Sequence, residues 1–88
     1  MNEQYWNPEI NDELEGILID KLNNIGIYKN KLYKIQVGDK IVNVWGKAQL
    51  DMLMETTHIG DKILIRYMGL KSIHDYKMKI YELEILNE

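Results

Sequence analysis

Apolar and polar residues alternate along three stretches in the first half of the chain: ELEGILIDKL (13–22), LYKIQV (32–37) and KIVNVW (40–45). A period of two sends successive side chains to opposite faces, so each stretch reads as a half-buried β-strand. Gly38-Asp39 alone separates the second from the third, a tight-hairpin signal that makes them antiparallel neighbours. Tyr33, Ile35, Val37, Val42 and Val44 then share the face expected to form the core, and Leu32, Lys34, Gln36, Ile41, Asn43 and Trp45 share the outward face. From Lys47 the period changes. Leu50, Leu53, Met54 and Thr57 fall at i, i+3, i+4 and i+7, which predicts an amphipathic helix of about three turns with Met52 and Met54 as core filler. Gly60-Asp61 turns the chain into KILIRYM, a fourth strand closed by Gly69. LKSIHD reads as a loop, and YKMKIYELEIL as a fifth strand in which Tyr81, Leu83 and Ile85 alternate with Glu82 and Glu84.

Three strands, a helix and two strands predict an all-β chain carrying one helix, and the OB-fold, a five-stranded barrel with its helix between strands three and four, has this order. Gly16 inside the first strand strengthens that expectation, because glycine permits the bend by which one strand serves both halves of a closed barrel. An SH3-like barrel is the nearest competitor and has no place for this helix. Eighty-eight residues hold one core, so 1–88 is expected to be one domain, with 1–12 as an N-terminal flap in which Trp6 and Pro8 pack over the barrel.

Composition narrows the chemistry. Without cysteine there is neither a disulfide framework nor a thiolate metal site, and His58 and His74 are too far apart in sequence to suggest zinc; no metal or other cofactor is expected. No run is apolar enough to span a bilayer and no signal-peptide pattern opens the chain, so a cytoplasmic protein without membrane attachment is expected. No nucleophile–base combination or phosphate loop occurs, which predicts a non-enzyme with no small-molecule substrate. The net charge of −3 disfavours a generic phosphate binder, yet acids crowd the two ends (Glu3, Glu9, Asp12, Glu13 and Glu15; Glu82, Glu84 and Glu88). Between Lys21 and Lys47, by contrast, Lys21, Lys29, Lys31, Lys34, Lys40 and Lys47 face only Asp39.

VNVWGKAQL followed by HIGDKILIRYMG resembles the single-stranded DNA-binding protein family and its short phage and archaeal relatives. There a hydrophobic strand runs into an aromatic residue, Gly-Lys and a helix, and then Gly-Asp or Gly-Ser, an alternating strand and a closing glycine. YWNPEINDELEGILID is similar to the opening of the small viral and archaeal members, so the likeness covers nearly the whole chain. The resemblance implies that Trp45 is the stacking aromatic at the end of strand three and Lys47 the basic residue after the glycine. Leu86-Asn87-Glu88 do not resemble the acidic, partner-recruiting tail of bacterial members, so that recruiting role is not expected here.

Proteins of this kind bind single strands by stacking bases on aromatic faces within a basic groove. Trp45 and Asn43 on the outward face, with Lys34 and Lys47, fit that pattern; the alternative is that Trp45 covers the barrel end under the helix. Tyr28, Lys29 and Lys31 fall in the loop between strands one and two, one of the two OB-fold ligand loops, although a lysine cluster around a hairpin is commonly just solvated. Lys71 and His74, with Tyr76, fall in the other such loop, and Arg66 faces outward on strand four, where it contacts phosphate or forms a surface ion pair. The expected function is coating of single-stranded DNA in replication, recombination or repair, with RNA open as a second ligand and self-association expected because one barrel offers a short site. The rival reading is an OB-fold protein-interaction module using the same face.

Overall fold

The computed structural model describes residues 3–87; Met1 and Asn2 of the expected flap, and Glu88, lie outside them. Six strands and one helix follow in the order β1 (Glu3–Tyr5), β2 (Glu13–Ile25), β3 (Asn30–Val37), β4 (Lys40–Trp45), α1 (Ala48–Met54), β5 (Lys62–Ile73) and β6 (Tyr76–Ile85). They form one mixed sheet in the order β1-β4-β3-β2-β5-β6. The chain is therefore mostly β with one short helix, and the helix joins β4 to β5.

β2 is the shared element. Glu13–Ile17 pair with β5 and Ile17–Ile25 with β3, with register shifts between Leu18 and Asp20 and between Leu22 and Ile25. Gly16 sits at the start of this changeover. A Cβ there would overlap the Gln36 carbonyl oxygen and lie 2.8 Å from Ile35 Cγ2, so only a glycine lets the two backbones approach this closely. The curled sheet encloses Leu14, Leu18, Tyr33, Ile35, Val44, Ile63, Ile65, Tyr67 and Tyr81, with Leu50 and Met54 supplied by the helix. Each such large apolar side chain stabilises the fold by about 1.5–3 kcal/mol, so this cluster, and not any single ladder, holds the molecule together.

Seven residues are too few for an independent helix, and α1 is held by its neighbours. Leu50 and Met54 are buried, and Lys21 Nζ donates to the carbonyls of Met54 (2.8 Å) and Thr57 (2.5 Å), filling acceptors that a helix C-terminus leaves open. Tyr33 donates its hydroxyl to Asp51 at 2.6 Å; burial, then this carboxylate, pushes the Tyr33 phenol well above its usual range.

Several expectations are corrected. A sixth strand is present, because Glu3–Tyr5 add in parallel to the outer edge of β4. Among the described residues no ladder joins β4 to β6, so the sheet stays open instead of closing on itself. The helix is two turns, because the hydroxyls of Thr56 and Thr57 take the carbonyls of Leu53 (2.9 Å) and Met54 (2.7 Å) and end it. Met52 is 70% exposed and fills no core. The segment from Leu70 to Ile73 is strand and not loop: β5 runs through a bulge at Gly69, against which Ile10 packs, and only His74 and Asp75 form the turn.

Gly16→Ala should cost about 1–3 kcal/mol, the range for overpacking a close contact. Urea unfolding checks this, and the reduced midpoint should come with an unchanged slope.

Candidate functional site

The curl of the sheet carries β4 and β6 toward one another, and the segment after β1 fills the gap between them. Trp6 donates its backbone N–H to the Asn43 carbonyl (2.8 Å), and its ring meets Tyr81 at 6.3 Å between centroids. On the helix side, Gln49 replaces a missing strand: its amide accepts from Tyr81 N–H (2.9 Å) and donates to the Tyr81 carbonyl (3.1 Å).

Three concavities open along this seam and share Lys47. One, of about 350 Å³, lies between the β2–β3 loop (Ile25–Tyr28, Asn30) and Trp45. A second, about 150 Å³, is bounded by Trp6, Pro8 and Trp45 on one side and by Lys79 and Tyr81 on the other. The third, about 360 Å³, runs under the β5–β6 hairpin between Ala48, Leu70 and the strand Tyr76–Lys79. Lysine side chains at 47, 77 and 79 and aromatic rings at 6, 28, 45, 76 and 81 line the three, with no carboxylate among them.

Trp45 stands outside the main core. One face of its indole is stacked on Tyr5 (centroids 5.8 Å apart, planes at 15°), while its edge approaches Gly26 and borders two of the concavities. Gly46 then turns the chain in a space with no room for a side chain. Its N–H donates to the Lys31 carbonyl at 2.7 Å, and a Cβ would collide with the Asp51 carboxylate and lie 3.0 Å from Lys31 Cβ. That tight passage projects Lys47, exposed and in an extended conformation, into all three concavities.

Of the residues singled out from sequence, Trp45, Lys47 and Tyr28 come together. Lys29 is exposed in the adjoining turn, with a positive φ of 54°, and Lys31 lies on the far side beside Asp51 and Glu55; neither lines the seam. Lys71 and His74 are exposed on the hairpin beyond it, His74 in the turn itself. Two residues are placed otherwise than expected. Asn43 is 2% exposed: β1 adds along the edge of β4 beside it, and its side-chain amide is bonded to Lys34 and Glu3. Lys34 donates to Glu3 (2.5 Å) and to Asn43 (3.1 Å), and Asn43 donates to the same Glu3 oxygen (3.3 Å), so this ammonium is engaged within the fold. Arg66 takes the surface ion pair that was one of its two expected roles, held between Glu13 and Glu82 and away from the residues lining the seam.

Sequence reasoning missed Tyr5, Lys77 and Lys79. The alternation of Tyr76-Lys77-Met78-Lys79 is a readable signal, but reading the preceding segment as a loop hides its proximity to Lys47. Among the described residues no three histidine or acidic side chains gather into a metal-binding group, and no helix is long and apolar enough to cross a membrane. No protein-family model, curated protein or solved structure matches the chain.

The Glu3 cluster pins a strand of only three residues, so it should control how far Trp45 is covered. Hydrogen bonding from Lys34, then Asn43, lowers the Glu3 pKa. A depressed carboxylate stabilises above its unfolded value, near 4.3, and that contribution is lost as pH falls through the folded value. In a Trp6→Phe background, Trp45 emission should shift to the red as Glu3 is protonated, and Glu3→Gln should show the shifted emission at neutral pH.

Proposed function

We propose that this chain is a small OB-fold protein that binds single-stranded DNA along the β4–β6 seam without sequence preference. The single observation that carries the reading is the seam's lining: tryptophan, tyrosine and lysine side chains converge on Lys47 and no carboxylate intrudes. Aromatic faces supply base stacking worth about 1–3 kcal/mol each, and ammonium groups neutralise phosphates and release counterions.

The fold part of the reading is supported by the pairing order. Leaving β1 aside, β4-β3-β2-β5-β6 are joined by four antiparallel ladders with the helix between β4 and β5, the order an OB barrel has when cut between its third and fifth strands. The net charge of −3 is no obstacle. Carboxylates of Glu13, Glu15, Glu82 and Glu84 gather with Arg66 and Lys62 on another face, and the groove presents only cations. Within it, Trp45 would offer a base the ring face not covered by Tyr5, and Tyr5, 59% exposed, would extend the stack. Lys47, Lys77 and Lys79 would contact the sugar-phosphate chain.

Oligo(dT) should quench tryptophan emission at low salt and shift the protein's mobility in a gel. Trp45→Ala should weaken binding by roughly tenfold or more, in line with the loss of one stacked base. Lys47→Gln and Lys79→Gln should each flatten the dependence of log K on log salt by about one phosphate's worth, near 0.7. A protein that only docks other proteins would give no shift even at low salt, and unchanged affinity in Trp45→Ala would refute the stacking role.

A further inference from the structure

β6 ends the sheet, and one part of its outer edge has no partner. Tyr81 turns its N–H and carbonyl away from β5, since both are taken by Gln49. Its ladder partner Tyr67 turns its own toward Asp12 and Asn11, which identifies a non-hydrogen-bonded pair. Antiparallel alternation then points the main-chain groups of Leu83 and Ile85 outward as well. No strand or side chain of the described residues plays for them the part that Gln49 plays for Tyr81.

Beside this edge lies a concavity of about 450 Å³, lined by Leu53 of α1, Leu64 and Arg66 of β5, and Tyr81, Leu83 and the carboxylates of Glu82 and Glu84. Arg66 is already bound to Glu13 and Glu82, and Glu84 makes no ion pair among the described residues. The groove is thus apolar at its floor and anionic at its rim. We propose that the Leu83–Ile85 edge and this groove bind a short extended peptide segment of a partner protein, in which basic and apolar residues alternate, as an added strand. Main-chain hydrogen bonds to the edge would give affinity, and Leu53, Leu64 and Leu83 would take the apolar side chains. Glu82 and Glu84 would select the basic ones. The same carboxylates argue against a second copy of this chain: antiparallel β6–β6 pairing would set Glu82 and Glu84 against their counterparts, and like charges placed opposite destabilise a ladder. They equally repel a phosphate backbone, which separates this surface from the lysine seam.

The test uses the full chain and a fluorescein-labelled peptide of alternating lysine and valine, with a matched peptide carrying serine for lysine. The lysine peptide should bind more tightly by anisotropy. Glu84→Lys should weaken it by about tenfold and Glu84→Gln by less. In the unmodified protein, the amides of Leu83 and Ile85 should exchange more slowly with the peptide bound, a readout that needs no variant to fold. Affinity unchanged in Glu84→Lys, or slowed exchange confined to the Lys47 and Lys79 region, would overturn the proposal. So would amide protection at Leu83 that rises with protein concentration in the absence of peptide.

Discussion

The close approach of β2 to β3 at Gly16 is the constraint on which the rest of the structure depends. Without a side chain there, one strand pairs with β5 through its first half and with β3 through its second, and the sheet curls around a single apolar cluster. The curl carries β4 and β6 toward each other without joining them. Trp6 wedges against Tyr81 and Gln49 takes the main chain of the same residue, so the opening is framed by side chains where a closed barrel would have a ladder. A seam of this kind offers both aromatic faces and depth, which a completed ladder would not.

Charge is divided along β6 itself. Lys77 and Lys79 precede Tyr81 and border the seam, while Glu82 and Glu84 follow it and border the groove beside α1. One strand therefore presents two surfaces of opposite sign on either side of a residue fixed by Gln49. The proposed nucleic-acid groove and the proposed peptide edge are consequences of this inversion, and a modest net charge hides both. Gly46 gives the seam its geometry, since the crowding by Lys31 and Asp51 leaves one route for the chain and places Lys47 where the three concavities meet.

Much of the architecture was legible. The run 40–45 is a strand from end to end, Tyr33, Ile35 and Val44 are buried as their alternation demands, and the helix follows Gly46. What escaped had physical causes. Three residues of β1 carry no period, so nothing in the sequence announced that Asn43 and Lys34 would be covered and bound to Glu3. Leu70–Ile73 lack clean alternation because Leu70, Lys71 and Ser72 are all exposed, so no buried face imposes a period, and the hairpin that sets Lys77 and Lys79 near Lys47 went unread. For Arg66 the two glutamates that hold it come from strands far apart in sequence, a pairing that periodicity cannot supply.

The central claim is that a single strand of DNA lies in the lysine-lined seam and nowhere else on the molecule. Residue-resolved NMR of the labelled protein, titrated with a short oligo(dT), tests it most directly. The account predicts that the indole N–H of Trp45 and the amides of Gly46, Lys47, Lys77 and Lys79 move together on one binding curve, while those of Glu13, Arg66 and Glu84 stay in place. Perturbations centred on the acidic face, or none at all at low ionic strength, would contradict it.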